Sequence, residues 1–254
     1  MIKIGTSGIG GKKEAKNNLK HFKDNNLDAA EVAFTYSNYL KKEDALEIGK
    51  FAKKINMDLS IHSSYFINLN STDKTKIEQS KKRLLGACEI GEYLQAKYIV
   101  FHPGYFGKRT KEETYENIKK EVLEVQRYIK KKSWKVKLAP ETTGKINVFG
   151  SLDEILKLAK ETKTAMCIDF AHLKARNLGK IDYKEVIKKL PKKHIHCHFS
   201  GIEYGEKGER HHKLVDFKEY QKLINELKKQ KVDCTLICES PDPFGDAKKM
   251  KKKL

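Results

Sequence analysis

Short apolar runs alternate with longer amphipathic, charged stretches from one end of the chain to the other. Apolar runs of four to eight residues with Val, Ile and aromatic side chains read as strands, and segments with a 3.6-residue apolar period read as helices. The strands predicted in this way are Ile2–Gly5, Ala29–Ala33, Asp58–Ile61, Tyr98–Phe101, Val136–Pro140, Ala165–Ile168, His194–Cys197 and Val232–Cys238. The helices predicted between them cover Lys12–Asn25, Lys42–Ile55, Asp73–Leu94, Lys111–Lys132, Ser151–Glu161, Tyr183–Leu190, Asp216–Gln230 and Asp246–Leu254. Asp73 and Ser151 suit helix starts, because a short oxygen-bearing side chain accepts free backbone N–H groups there. Eight βα units in a chain of 254 residues match an α/β fold with a single (β/α)8 TIM barrel spanning 1–254. A doubly wound sheet would gather its polar residues at one switch point. Here they follow nearly every strand.

Composition bounds the class of protein. Charged residues make up 34% of the chain, above the usual ~25%, yet 11 Phe and 11 Tyr, with many aliphatic runs, supply a core. The net charge of +19 fits a polyanionic partner. Only Arg83, Arg109, Arg127, Arg176 and Arg210 are arginines, so the excess is lysine, which background composition or heat adaptation also produces. Charge alone therefore does not select nucleic acid. The 5 cysteines form no CxxC pair, which suits buried thiols in a reducing compartment. The first residues enter a strand directly and no window holds 18 apolar residues, so neither a secretion signal nor a membrane span is expected. A cytoplasmic protein without membrane association follows from these features as an expectation.

The carboxyl ends of the predicted strands carry the chemistry. His62 follows the third, His102 the fourth, Glu141 the fifth, Asp169 the sixth, His198 the seventh and Glu239 the eighth. Successive units thus deliver one His, Asp or Glu each to the rim where barrel enzymes place their active sites. His172 leaves the sixth strand three residues after Asp169, and the loop after His198 adds Glu209, Arg210, His211 and His212. Imidazole and carboxylate bind borderline divalent ions, and this many donors exceed the needs of a single ion. Any one of them has a plainer explanation, such as a turn histidine in His102-Pro103-Gly104 or a helix cap at Asp169. Together they would be costly unpaired charges at buried strand ends unless they share cations. His194 and His196 lie along the same strand face as His198 but short of its end, so they are expected inside the barrel. His212 is expected to point away from the site, and His21 to be solvated.

The stretches SIHSSYFINL, FHPG, ETT, CIDFAH, HCHFSG, ERHH and LICESPDP resemble, in order and spacing, the endonuclease IV family of apurinic/apyrimidinic DNA repair enzymes. The resemblance runs from His62 to Pro243. It implies a trinuclear zinc site, with manganese an alternative at one position: a first zinc on His62, His102 and Glu141, a second on Glu141, Asp169, His198 and Glu239, and a third on His172, Glu209 and His211. Glu209 departs from the aspartate that the family's familiar members carry there. The implied reaction is hydrolysis of the phosphodiester 5′ to an abasic site in double-stranded DNA, leaving a 3′-hydroxyl and a 5′-deoxyribose phosphate, with removal of blocked 3′ ends as a related activity. Divalent ions stabilise the charge that develops on the phosphate and the departing oxygen. Glu141, as the bridging carboxylate, would be the catalytic residue that positions the attacking water. Tyr65 and Phe66 match the pair that family members wedge into the base stack. Tyr39 stands near a position where some members insert an arginine. Arg210, with Lys41, Lys42, Lys108 and Arg109, are candidates for phosphate contact. The protein is expected to act as a monomer. The alternative is a single-metal sugar isomerase or epimerase on the same barrel, and a further one a DNA-binding protein without catalysis.

Overall fold

The computed structural model describes residues 1–254. Its main sheet has 8 parallel strands: β1 (Ile2–Ser7), β2 (Ala29–Ala33), β3 (Asp58–His62), β4 (Tyr98–Phe101), β5 (Lys137–Pro140), β6 (Cys167–Asp169), β7 (Ile195–Phe199) and β10 (Cys234–Cys238). They run in the order β5-β4-β3-β2-β1-β10-β7-β6. The remaining seam lies between β5 and β6. There a single parallel bridge joins Glu141 to Cys167, and the Thr142 N–H donates to the Cys167 carbonyl at 3.1 Å. The sheet is thus a nearly closed TIM barrel, as the alternating pattern predicts.

The crossovers are α1 (Ala15–Asp24), α2 (Lys42–Lys54), α3 (Lys74–Leu94), α4 (Lys111–Lys131), α5 (Leu152–Thr162), α6 (Phe170–Arg176), α7 (Tyr183–Lys188), α8 (Phe217–Lys229) and α9 (Pro243–Lys252). Their boundaries follow local chemistry. Ser151 opens α5 by accepting the Glu154 N–H at 3.3 Å, while the Glu154 carboxylate accepts the Ser151 N–H at 2.8 Å. This reciprocal pair satisfies two N–H groups that the first turn leaves free. Ile155, Leu158, Ala159 and Thr162 then recur on one face and are buried, the spacing that lays a helix against a sheet. Thr110 and Glu113 cap α4 in the same way, and Asp73 caps α3 through the Thr75 N–H.

Three features depart from the sequence expectation. β3, β6 and β7 end later than predicted, so His62, Asp169 and His198 belong to the strands themselves. The barrel register holds them directly. Second, a helix, α6, starts immediately after Asp169 with no intervening loop, too short for periodicity to reveal it. Third, the segment after β7 folds back as an antiparallel hairpin, β8 (Gly201–Gly205) and β9 (Gly208–Lys213). Its strands are largely polar, so no hydrophobic alternation announces it. The hairpin is tied to the loop after β5: Lys145 bridges Gly208, and the Glu209 N–H donates to the Gly144 carbonyl at 3.0 Å. Gly208, at φ +88°, approaches that carbonyl so closely that a Cβ would stand 2.2 Å from it.

Candidate metal centre

The strand ends converge around Glu141, which is fully buried. His62 Nε2 lies 3.1 Å and His102 Nε2 2.9 Å from Glu141 Oε2, while His198 Nδ1 lies 2.9 Å from Glu141 Oε1. Each oxygen of one carboxylate therefore faces a different group of donors, the arrangement a bridging ligand needs. His198 Nδ1 also stands 3.2 Å from Glu239 Oε2. His62, His102 and Glu141 form one set of donors, and Glu141, Asp169, His198 and Glu239 another, the atoms of each within 4.8 Å of one another. These are the first two donor groups that the family resemblance implies.

Outer partners fix which ring nitrogen faces the centre. His62 Nδ1 meets the Ser63 carbonyl at 2.8 Å and His172 Nδ1 the Thr142 carbonyl at 3.0 Å. A carbonyl only accepts, so each Nδ1 carries hydrogen, while Nε2 of His62 faces Glu141 and Nε2 of His172 faces Glu209. Asp169 divides its two oxygens: Oδ1 accepts the His172 N–H at 2.8 Å and caps α6, while Oδ2 is buried and completes no hydrogen bond. The helix cap and the metal ligand are thus compatible roles of one side chain. Nε2 of His102 and His172 likewise complete no hydrogen bond. Buried nitrogen and oxygen donors with unused lone pairs are what a divalent ion such as zinc would satisfy.

The electrostatics express the same crowding. Burial alone would raise the Glu141 carboxyl, but the neighbouring His198 and His102 hold it well below the usual range. Burial would likewise depress His62, yet its hydrogen bond to Glu141 pushes it up to about 9. His172 also rises to about 9, against its burial, through Asp169 and Glu209. Burial raises Asp169, partly offset by His172. Glu239 is held down to about 2 because His198 outweighs the cost of burial.

The third group differs from expectation. Asp169, His172 and His212 are drawn together within 4.8 Å, and Glu209 Oε2 stands 3.5 Å from His172 Nε2. His211 is exposed and stands outside the group, so the residue expected to point away faces in and the expected ligand faces out. The cause is a β-bulge. Tyr204 pairs Glu209 while Glu203 pairs His211, leaving Arg210 unpaired, and an extra residue reverses the side on which everything beyond it points. His212 Nδ1 meets Ser200 Oγ at 2.6 Å, and its ring lies 5.2 Å from that of His172.

Aromatic side chains crown the same rim. Tyr65 and Phe66 are 52% and 56% exposed, and the Tyr65 ring lies 5.5 Å from His62. Tyr36, 74% exposed with its ring 6.2 Å from Phe66, extends this surface. No motif in the sequence singles it out, although it lies in the same loop as Tyr39. Tyr39 is turned aside, its hydroxyl donating to the Gly10 carbonyl at 3.2 Å. Arg210 is exposed at the bulge. Arg109, a phosphate candidate, instead braces the loop after β3, its Nη1 donating to the Asn70 carbonyl at 2.8 Å and to the Asn70 side chain at 2.9 Å. Below the rim, His194 lies at the far end of β7, with Nδ1 3.1 Å from Asp233. His196 is inside the barrel as expected. Its partner there, Glu31, escapes sequence reasoning because it sits singly in the apolar run AAEVA.

The histidine–carboxylate cluster places a candidate metal centre at the carboxyl ends of the strands, where TIM-barrel enzymes carry their active sites. Residues 19–254 match the family model described as xylose isomerase-like TIM barrel, and the chain belongs to that family. It is 38% identical over 229 residues to an uncharacterised protein of Methanocaldococcus jannaschii, covering 85% of this chain and 83% of that one. It is 30% identical over 166 residues to a probable endonuclease 4 of Mesomycoplasma hyopneumoniae, covering 61% of this chain and 58% of the relative. Endonuclease IV from Thermus thermophilus superposes with a TM-score of 0.74 at 19% identity over 98% of both chains. An L-ribulose 3-epimerase superposes at 0.76 with 14% identity, over 100% of this chain and 93% of that one. Identities this low establish the shared fold. The resemblance read from the motifs thus holds at the level of family, while the two structural neighbours carry different activities.

Proposed function

We propose that this protein is a zinc-dependent endonuclease that hydrolyses the phosphodiester 5′ to abasic sites in double-stranded DNA and trims blocked 3′ ends. The observation that carries the reading is the overlap of three donor groups through shared carboxylates, Glu141 between the first and second, Asp169 between the second and third. A cluster of ions suits the charge distribution of phosphodiester cleavage, since both the attacked phosphate and the leaving oxygen gain negative charge. His62, His102 and Glu141 would hold the first ion, Glu141, Asp169, His198 and Glu239 the second, and Asp169, His172 and His212, with Glu209, the third. Manganese is an alternative occupant of one position. Bound ions would supply Lewis acidity and an activated water. Glu141, the catalytic residue, positions the attacking oxygen beside the phosphate. Tyr65, Phe66 and Tyr36 face the space a base leaves and stack against its neighbours, each contact worth roughly 1–3 kcal/mol. Arg210 and rim lysines contact phosphate, and Tyr39 supports the loop before α2. The protein acts as a monomer in the cytoplasm, and the buried, unpaired thiols suit that reducing compartment.

A 5′-labelled duplex containing a tetrahydrofuran residue tests the proposal. Purified protein should nick it on the 5′ side in a metal-dependent way, and the product should prime a polymerase directly. The second reading, a sugar epimerase with a single ion, rests on the epimerase-like fold. Elemental analysis divides the two: about three zinc ions per chain support the nuclease, and about one, with no nick, supports the epimerase.

A further inference from the structure

Beneath the candidate metal centre, in the barrel interior, lies a carboxylate to which neither the motifs nor the proposed reaction assigns a role. Glu31, from the middle of β2, is fully buried. Its Oε2 accepts from Ser60 Oγ at 2.6 Å and from His196 Nε2 at 2.8 Å. Its Oε1 lies 2.8 Å from His198 Nε2. Glu31 Oε1 and His198 Nε2 have no other partner, and they meet without a well-aligned hydrogen bond.

We infer that Glu31 is the positioning residue of the second metal ligand group, anchored by Ser60 and His196 on one oxygen and steering His198 with the other. The inference rests on the metal-centre reading above. Carboxylates face both ring nitrogens, Glu31 at Nε2 and Glu141 and Glu239 at Nδ1; an ion held by Glu141, Asp169 and Glu239 would take the Nδ1 lone pair, leaving the ring hydrogen on Nε2, on the side of Glu31. His62 and His172 are held by neutral carbonyls, and His212 meets a hydroxyl. Among these rings His198 alone is backed by an anion, which raises the basicity of its ligand atom as well as orienting it. Ser60 and His196 are what permit the anion to be buried, since a carboxylate so far from solvent is costly unless its oxygens are satisfied. They also fix the direction of Oε1, because the opposite oxygen is held twice.

The test is zinc competition. Metal-free wild type, Glu31→Gln and Ser60→Ala are reloaded with zinc against a chromogenic chelator, and their unfolding temperatures are measured without metal. Glutamine keeps the shape but loses the charge and one acceptor. Glu31→Gln should release one of the bound zinc ions roughly 10–100-fold more easily while the others are held as in wild type. Ser60→Ala should have a smaller effect on the same ion. Unchanged zinc affinity in Glu31→Gln overturns the inference, including the case where only the metal-free unfolding temperature falls, since that marks a purely structural carboxylate. If wild type itself retains no zinc, the metal-centre reading fails along with it. If wild type holds its zinc and Glu31→Gln matches it, the inference about Glu31 fails alone.

Discussion

The candidate metal centre is assembled in two ways. His62, Glu141, His198 and their neighbours stand on barrel strands or the first residue beyond them, where parallel hydrogen bonding fixes both height and direction. Ala33 pairs with His62, and Asp169 pairs with His198, so neighbouring strands set one another's register. His172, Glu209 and His212 instead depend on a short helix and a bulged hairpin, braced by the loop after β5. Rim residues on strands inherit the precision of the barrel. Residues on added loops depend on local events, one inserted residue among them.

Removing the shared carboxylate should have the largest effect. Glu141→Gln strips a ligand from the first two groups at once and should reduce nicking of the abasic duplex on the order of 10³-fold or more, since metal stabilisation is worth several kcal/mol. Activity within tenfold of wild type would show that the strand-borne half is not the reacting centre. In the hairpin half, His212→Ala should lose about one zinc per chain and roughly 10²-fold in cleavage, whereas His211→Ala should stay within a few-fold. The reverse result would mean that the bulge shifts register when metal binds.

Gly144 offers a subtler lever. A Cβ there would lie 2.6 Å from the Glu209 Cβ and 3.1 Å from His172. Gly144→Ala should destabilise the hairpin brace by about 1–3 kcal/mol and weaken zinc at the third position only, read from chelator competition. Equal weakening at all positions would erase the distinction between the two halves.

The smallest expected effect is on pH dependence. His62 and His172 stand near 9, above their ordinary 6.5, so their protons stabilise the metal-free fold fully below pH 6.5 and that contribution is lost as pH rises through 9. The metal-free unfolding temperature should fall across this window, while apparent zinc affinity rises, because the ion displaces the same protons. Calorimetry at several pH values, with and without zinc, reads both slopes.

Much of this is legible before the fold is known. The strands are apolar because they are buried on both sides, and the break from apolar run to His, Asp or Glu marks where each reaches the rim. His62, His102, Glu141, Asp169, His198 and Glu239 are therefore visible as a set. His212 is misjudged by simple alternation because of the bulge at Arg210, which depends on how β9 pairs with β8. Glu31 is hidden because a single acid in AAEVA carries no signal of its own. Its meaning comes from Ser60, His196 and His198, which sequence separates widely and the barrel brings into contact.

By itself the sequence determined the number and order of the βα units and the donors at the strand ends, because period and burial are local properties of the chain. Only the tertiary structure decided which face of the hairpin looks inward and which buried carboxylate backs His198. Both depend on pairing across strands, where one extra residue or one distant partner changes the direction of a side chain without changing its place in the sequence.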